Sequence, residues 1–379
     1  MKFKLSKEQE FVQKMVREFA TTEVEPLAAD IDKEHRFPTE TVEKMAKYGL
    51  MGIPFPTEYG GAGGDHISYA IAVEELSRVC ASTGVIVSAH TSLCCWPIFN
   101  YGTEEQKKKY LPDLLSGKKL GAFGLTEPNA GTDASGQQTR AVDAGDKWIL
   151  NGAKVFITNG GYADVFVVMA MTDKSKGNHG ISSFIVEKGD PGFSIGKTEE
   201  KMGIHASSTT ELIFQNCEIP KDRLLGKVGE GFKVAMSTLD GGRIGIASQA
   251  LGIAQGAFDV TRDYMKARKQ FGKSLSKMQA LQFEMANMKT QIEAARLLVY
   301  RAAYFKDQHE PYGEYAAMAK LFAAETAMYV TTKAVQLHGG YGYTMDYPVE
   351  RMMRDAKITE IYEGTSEVQK MVIAGAIFK

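Results

Sequence analysis

Apolar residues recur three or four positions apart through the first 120 residues, which is the spacing of one face of an α-helix. Ser6 with Gln9 and Thr103 with Gln106 match the capping box, in which two side chains satisfy backbone N–H groups at a helix start. Both pairs stand directly before an apolar run with helical spacing. The pattern therefore predicts an all-α domain over residues 1–120.

Between residues 121 and 230 the pattern changes to short runs of β-branched, aromatic and aliphatic residues. Residues 148–150, 155–157 and 181–186 are examples, and Gly, Asn, Asp and Pro separate the runs. No stretch with helical spacing lies between them. Strands in this arrangement predict an antiparallel, barrel-like β domain rather than an alternating α/β sheet.

Helical spacing returns beyond residue 230 in four long stretches. Three of them cover about residues 231–266, 276–308 and 312–338, and the last runs from Ser366 to the end of the chain. Long helices with short connections are typical of a bundle, so residues 231–379 are predicted to form a four-helix bundle. The expected fold class is thus α+β, with an all-α domain first, an antiparallel β domain in the middle and a helical bundle last.

Composition restricts the classes of partner. The chain of 379 residues is 44% hydrophobic and 24% charged, which is the balance of a folded globular protein. Its formal net charge is −1, so no general positive field attracts nucleic acid or an anionic membrane, and we expect it to bind neither. No apolar run reaches the length that spans a membrane.

The N-terminus and the cysteines indicate a cellular location. Residues 1–8 carry a charge every two or three positions and lack the apolar core of a signal peptide. Cys80, Cys94, Cys95 and Cys217 form no CxxC pair and are too sparse to cross-link a chain of this length. We therefore expect buried, inert thiols and a cytoplasmic protein.

Several common catalytic motifs are missing from the sequence. No GxGxxG stands between a predicted strand and a helix, as a nicotinamide-binding domain requires, and there is no Walker A, HExxH or GxSxG sequence. The seven histidines are scattered without the spacing of metal ligands. We therefore expect neither a nicotinamide site nor a metal site.

Two segments of the middle region have the chemistry to hold a flat polar ring. Residues 123–133 (FGLTEPNAGTD) and 156–160 (FITNG) contain small residues whose backbone N–H groups a ring can approach closely. Thr126 and Thr158 add hydroxyl donors beside them. A surface turn would explain either segment taken by itself.

Five segments together resemble one enzyme family. The two segments above are similar to the flavin-contacting loops of acyl-CoA dehydrogenases, with Phe156 where many relatives have Trp, and residues 361–367 (IYEGTSE) resemble the catalytic-base motif of that family. Residues 268–272 (RKQFG) and 336–340 (QLHGG) resemble the stretches that hold the FAD dinucleotide, partly from a neighbouring subunit. The likeness covers essentially the whole chain in the domain order of the family, and it is to the short-chain, butyryl-CoA type.

The resemblance implies FAD as the cofactor and Glu363 as the base that removes the α-proton of the substrate while a β-hydride passes to flavin N5. Isovaleryl-type relatives carry their catalytic Glu at a position that corresponds here to Gly242, which strengthens the assignment to Glu363. The implied cofactor-binding residues are Phe123, Leu125, Thr126, Gly131, Thr132, Phe156, Ile157, Thr158, Arg268, Phe271, Gln279, Gln336, Leu337, Gly339, Gly340, Thr365 and Glu367. The implied substrate-binding residues are Thr132, Asp240, Arg243 and Gly364.

Some of these residues have simpler explanations when each is considered alone. Arg268 stands in a basic cluster that could be a solvated surface, although its planar fork suits a pyrophosphate. Gly339 and the glycine after it could be a plain helix C-cap. Ser366 and Gln369 form a capping-box pattern after Glu363, which indicates a helix start there. The negative charge of Glu363 could therefore merely interact favourably with the dipole of that helix.

The resemblance also implies partners. Because part of the FAD site would come from a second chain, we expect a homotetramer arranged as a dimer of dimers. Electrons are expected to be exchanged with an electron-transfer flavoprotein, in the conversion of butyryl-CoA to crotonyl-CoA or the reverse reduction. The alternatives are an acyl-CoA oxidase, a non-catalytic nucleic-acid-binding relative of the fold and a structural helical scaffold, and the net charge of −1 argues against the second.

Overall fold

The computed structural model describes residues 4–378, and its first region is helical, as the apolar spacing predicts. The two predicted capping boxes are confirmed, since Ser6 accepts from the backbone of Gln9 and Thr103 from that of Gln106. Two π-helical segments, Ala20–Val24 and His90–Cys95, continue the first and fifth helices. The helices are α1 (Lys7–Phe19), α2 (Ala28–Lys33), α3 (Thr39–Lys47), α4 (His66–Ser77), α5 (Ala81–Ala89), α6 (Trp96–Tyr101) and α7 (Glu104–Leu115).

The middle region forms one eight-stranded sheet. Its strands are β1 (Gly121–Gly124), β2 (Arg140–Asp143), β3 (Lys147–Thr158), β4 (Val165–Met171), β5 (Ile181–Glu187), β6 (Phe193–Thr198), β7 (Thr209–Pro220) and β8 (Leu224–Leu225). The strand order is β6-β7-β3-β2-β4-β5-β8, and β1 also pairs with β4. Most neighbours are antiparallel, as predicted, but β4 runs parallel to β1 and, at one residue pair, to β2. These parallel pairs join strands that are distant in the chain, so no local turn signal indicates them.

The last region is helical again. It contains α8 (Gly231–Ala267), α9 (Gln279–Asp307), α10 (Gly313–His338), α11 (Val349–Ile358) and α12 (Ser366–Ile377), with a small hairpin of β9 (Lys269–Gln270) and β10 (Lys273–Ser274) after α8. Helices α8, α9, α10 and α12 correspond to the four predicted stretches, whereas α11 and the hairpin are additional. Helix α10 contacts α8, α9, α11 and α12, and its buried face is mostly alanine, which allows the helices to approach closely.

The start of α12 differs from the sequence prediction. The N-cap is Thr365, whose hydroxyl accepts from the backbone of Val368, because Thr365 is extended with ψ of 166° while Ser366 already lies in the helix. The predicted capping box of Ser366 and Gln369 is therefore wrong. The Gln369 side chain bonds instead to the backbone carbonyls of Glu363 and Gly364.

The four cysteines are buried and free, as predicted for inert thiols. Burial raises the pKa of Cys94 to about 12 and that of Cys217 to about 12, so both stay protonated at neutral pH. Over residues 4–378, none of the helices combines the length and the apolar composition that crossing a bilayer would need.

Candidate active site

The turn between α11 and α12 presents Glu363 to helix α8. Glu363 has a left-handed φ of 53°, and Gly364 follows with φ of 89°. The carboxylate lies against Gly242, because a Cβ built on that glycine would collide with Oε2 of Glu363. The residue as a whole is half-buried, but Oε2 is shielded from solvent and hydrogen-bonds to none of the described residues. An unpartnered carboxylate oxygen can accept a proton from a bound molecule.

The surroundings of Glu363 poise its protonation near neutral pH. Burial raises the pKa of the carboxyl to about 7, while the cations Lys320 and Arg243 favour the anion and oppose this effect. Arg243 is 5% exposed; its Nη1 donates to Oδ1 of Asp240 at 2.6 Å, and its Nε has no partner among the described residues. A base is most effective when its pKa is near the working pH, so this environment suits proton abstraction.

The predicted substrate residues lie in two places. Asp240 and Arg243 share the segment of α8 that carries Gly242, and Gly364 belongs to the turn of Glu363, so these three lie on the two segments that meet at the carboxylate. Thr132 lies on the exposed loop of the middle region, before the 3₁₀ turn Ala134–Gly136.

The two predicted ring-binding segments lie side by side. The backbone N–H of Val155 in β3 donates to the carbonyl of Thr126 in the loop after β1 at 2.9 Å. Lys154, fully buried, reinforces the junction by donating to the carbonyl of Leu125 at 3.0 Å and to Glu127 at 2.7 Å. Lys154 and Glu127 were not among the predicted site residues, because Lys154 stands just before the predicted run 155–157 and only the structure places it inside a strand.

The side chains of this junction divide between surface and core. Phe156 is 63% exposed at the end of β3 and has a φ of 60°, a conformation that is uncommon for an aromatic residue and frequent at functional sites. Ile157 points the other way and packs in the core of the sheet, so only its backbone could reach a ligand beside Phe156. Phe123 and Leu125 are buried, Thr126 and Thr158 are half-buried, and Gly131 is exposed with open space around it.

A cleft of about 590 Å³ lies at the far end of α8. It is lined by five of the predicted cofactor residues, namely Arg268, Gln336, Leu337, Gly339 and Gly340. Gly339 ends α10 with φ of 63°, and a Cβ on either of the two glycines would meet open space, so a ligand can approach this backbone. The Arg268 guanidinium lies 5.5 Å from the ring centre of Tyr341.

The remaining predicted residues stand outside this cleft. Phe271 is 94% exposed at the tip of the β9–β10 hairpin, and Gln279, the first residue of α9, is exposed beside the hairpin. Thr365 caps α12, and Glu367 is exposed in its first turn. Between them, the amide of Ser366 donates to the carbonyl of Glu360 at 2.9 Å, so it is not free to donate to a ligand.

The cleft and the Glu363 carboxylate lie at different points of the same helix. Gly242 faces the carboxylate, and Arg268 is the C-cap residue of α8. At about 1.5 Å of rise per residue, the two residues are roughly 39 Å apart along a straight helix. The structure therefore brings the predicted residues together in groups, but it does not bring all of them to one point within a single chain.

Sequence reasoning missed the role of Lys320 beside Glu363. Lys320 of α10 is fully buried, and its Nζ donates to the carbonyl of Gly364 at 2.7 Å. The signal was present in the sequence, because Lys320 falls four positions after Ala316 and three before Ala323, on the apolar face of the predicted helix. A lysine at such a position requires a polar partner, which the periodicity alone does not identify.

Three family models match the chain, each over one of the regions described above. They are the acyl-CoA dehydrogenase N-terminal domain over residues 6–118, the middle domain over residues 122–217 and the C-terminal domain over residues 229–378. The chain belongs to the acyl-CoA dehydrogenase family. These matches confirm, at the level of family and fold, the resemblance found in the five sequence segments. Acyl-CoA dehydrogenases are FAD-dependent enzymes in general. The domain boundaries at 120 and 230 stay a prediction.

Within the acyl-CoA dehydrogenase family, the chain is similar to short-chain enzymes. The short-chain specific acyl-CoA dehydrogenase of Clostridium acetobutylicum is 66% identical over 379 residues, which are 100% of both chains. The structure of butyryl-CoA dehydrogenase from Megasphaera elsdenii matches with a TM-score of 0.99 and 53% identity over 100% of both chains. A chain in a structure described as the electron transferring flavoprotein of Acidaminococcus fermentans matches with a TM-score of 0.99 and 59% identity, again over 100% of both chains.

Proposed function

We propose that this protein catalyses the α,β-dehydrogenation of short-chain acyl-CoA thioesters, converting butyryl-CoA to crotonyl-CoA or running the reverse reduction. The observation that carries the proposal is the shielded, unpartnered Oε2 of Glu363, which faces Gly242 and has a pKa of about 7. Similarity to a short-chain specific enzyme and to a butyryl-CoA dehydrogenase supports the substrate class.

The residues present fit FAD. The exposed Phe156 offers an aromatic face, and the loop of Thr126 beside it offers backbone groups and hydroxyls to a polar ring edge. The cleft at Arg268 combines a permanent cation with the open backbone of Gly339 and Gly340, which suits a pyrophosphate. When bound, FAD supplies the acceptor for the β-hydride.

The groups of this chain perform the proton chemistry. Glu363 takes the α-proton of the thioester, in its ionised form, and the cations Lys320 and Arg243 favour that form. The backbone N–H of Glu363 donates to no acceptor within residues 4–378, so it is available to the thioester oxygen, on which negative charge develops as the proton leaves. Gly242 has no side chain, and its place on α8 is taken by the carboxylate of Glu363.

A homotetramer is part of the proposal. The Arg268 cleft lies roughly 39 Å along α8 from Gly242. We therefore assign this cleft to the FAD of another chain. The turn of the β9–β10 hairpin consists of Phe271 and Gly272, which both have positive φ, as in a type I′ turn. This turn holds a phenyl ring that is 94% exposed, and an exposed ring in a strained conformation is explained if it packs against a second chain.

For the electron acceptor we propose an electron-transfer flavoprotein. The supporting observation is the match over 100% of both chains to a chain in a structure described as such a flavoprotein. An acyl-CoA oxidase is the alternative, and it is distinguished by oxygen consumption during turnover of butyryl-CoA.

The decisive experiment is a visible spectrum of the purified protein under anaerobic conditions. We expect bound FAD that is bleached by butyryl-CoA, and a Glu363→Gln variant that binds FAD and butyryl-CoA but reduces the flavin about 10²-fold to 10⁴-fold more slowly, which is the usual contribution of a positioned base. A colourless protein after reconstitution would support a structural scaffold. A Glu363→Gln variant with more than about a tenth of the normal rate would disprove the assignment of the base.

A further inference from the structure

The backbone that carries Glu363 is held in an uncommon conformation. Glu363 and Gly364 are consecutive residues with positive φ, 53° and 89°. Glycine adopts this region freely, but a glutamate does so only where the surrounding structure enforces it. The position of the carboxylate therefore depends on whatever fixes this two-residue turn.

Lys320 makes one of the contacts that fix the turn. Its side chain is fully buried in α10, and its Nζ donates to the carbonyl of Gly364 at 2.7 Å. In the part of the chain that the structure describes, Lys320 forms no ion pair within 4.0 Å, so this backbone carbonyl is its hydrogen-bond acceptor. A buried ammonium is costly without a partner, which makes this contact persistent.

Gln369 makes the other contacts. It is fully buried in the first turns of α12, and its Nε2 donates to the carbonyl of Glu363 at 3.2 Å and to that of Gly364 at 2.8 Å. Three donated bonds from two buried side chains thus converge on the two carbonyls of the turn. These carbonyls face protein donors, and the side chain of Glu363 is directed toward Gly242.

We propose that Lys320 is a positioning residue for the base: its ammonium holds the carbonyl of Gly364 and, together with the amide of Gln369, keeps the left-handed turn that directs the Glu363 carboxylate at Gly242. This inference rests on the proposed function of Glu363. It adds that the site depends on a lysine of α10 that contacts the backbone of the base rather than the substrate.

The charge of Lys320 has a second effect on the base. Burial lowers the pKa of Lys320 to about 8, and the carboxylate of Glu363 acts in the opposite direction. The other charged or titratable groups that act on this pair are Arg243 from α8, Tyr69 from α4, Tyr362 in the turn itself, and Glu360 and Glu367 beside it. Lys320 and Arg243 are the two cations in this set, and both lower the pKa of Glu363. Removal of Lys320 therefore raises the pKa of Glu363 and moves the acidic limb of activity to higher pH.

The test compares Lys320→Met, Gln369→Leu and, as a matched control, Lys333→Met in the FAD-loaded protein. Lys333 is also on α10 but is partly exposed and paired with Glu284. For Lys320→Met we expect flavin reduction at saturating butyryl-CoA to slow about 10-fold to 100-fold with unchanged affinity for butyryl-CoA, since misplacing a reacting group has effects of this order. We expect its acidic limb to move to higher pH, whereas Gln369→Leu should slow the reaction without moving the limb, and Lys333→Met should change neither.

Hydrogen–deuterium exchange supplies a readout that does not depend on activity. Both Lys320→Met and Gln369→Leu should speed exchange in the peptide that covers residues 360–370. Wild-type rate, pH profile and exchange in a folded Lys320→Met protein would overturn the proposal, and if that variant does not fold, wild-type rate and exchange in Gln369→Leu would overturn it. If Glu363→Gln reduces flavin normally, the proposed function fails, and the exchange experiment still decides whether Lys320 holds the turn.

Discussion

Gly242 and Glu363 share one space: a Cβ atom added to the glycine would overlap Oε2 of the carboxylate and lie 2.8 Å from Cδ2 of Leu93. The family resemblance predicts that Gly242 corresponds to the position at which isovaleryl-type relatives carry their catalytic Glu. The two positions are far apart in sequence but adjacent in the fold, so a carboxylate from either one could serve the same point in space.

A Gly242→Ala variant should therefore lose activity more than stability. The three atoms that the new methyl group meets belong to the ends of the Glu363 and Leu93 side chains, so they can move and the fold survives, but the carboxylate is displaced. We expect flavin reduction by butyryl-CoA to slow about 10-fold or more. Gly375→Ala in α12 is the control, because its methyl group meets open space, and it should leave the rate unchanged. An unchanged rate in Gly242→Ala would show that the carboxylate works from another position.

The pKa of Glu363 predicts a pH dependence of catalysis. Since burial raises it to about 7 and the base must be ionised, kcat/KM should fall as the pH decreases through about 7. Steady-state kinetics with butyryl-CoA between pH 5 and pH 9 measures this limb. A limb near the ordinary value for glutamate would mean that the carboxylate is solvated when substrate arrives.

The same pKa predicts a pH dependence of stability. The folded protein disfavours the ionised carboxylate, so the stabilisation associated with Glu363 is present below about pH 4.5 and is lost as the pH rises through about 7. Compared with wild type at equal flavin content, Glu363→Gln should gain up to about 3 kcal/mol of unfolding free energy above pH 7 and little below pH 4.5. Urea unfolding at the two pH values checks the difference, and equal differences at both would contradict it.

Arg268 should link cofactor retention to assembly. If its guanidinium binds the pyrophosphate of another chain, Arg268→Ala removes a charge-assisted bond, and FAD affinity should fall about 10-fold to 100-fold. The sedimentation coefficient should decrease with it. Lys269→Ala, a change at the exposed neighbouring cation, is the control and should alter neither quantity. Unchanged FAD binding and unchanged sedimentation in Arg268→Ala would show that Arg268 is only a surface charge.

The acyl chain should be short. Gly245 lies one turn after Gly242 on the same face of α8, and a Cβ there would overlap Oγ of Ser88 and lie 2.5 Å from the hydroxyl of Tyr69. We propose that Ser88 and Tyr69 limit the acyl pocket, so that added methylenes do not gain the roughly 0.8 kcal/mol each that burial would provide. A series of thioesters from C4 to C16 should give its highest kcat/KM at C4 or C6, and a maximum at C8 or longer would refute the short-chain assignment.

The sequence predicted the features that depend on local signals. Helix α8 and the two capping boxes were predicted because helical periodicity and capping depend on residues that are close together in the sequence. The parallel pairing of β1 with β4 was not found, because it joins segments without a connecting turn. Thr365 and Ser366 are both good caps, and only the extended backbone of Thr365 decides between them.

The site was predictable where a motif is contiguous. The resemblance predicts Glu363 as the base, whereas its contact with Gly242 is seen only in the structure. Lys320 and Lys154 were not identified from the sequence. Each bonds to a backbone carbonyl or a buried acid on another element, and a single charged residue on an apolar face does not specify its partner. The exposure of Phe156 was not predicted either, because it accompanies a positive φ that an aromatic residue rarely adopts.

Helix α8 carries Gly242, which faces the carboxylate of the proposed base Glu363, and its C-cap Arg268 lies beside the cleft proposed for the cofactor of a second chain. The middle of α8 is buried among neighbouring elements, and a closely packed helix moves as a rigid body rather than bending locally. In the proposed assembly, a tilt of this rod that follows acyl-CoA binding in one subunit would shift the cofactor of its neighbour. Communication between subunits would then require no hinge or mobile loop, only the rigidity of one helix.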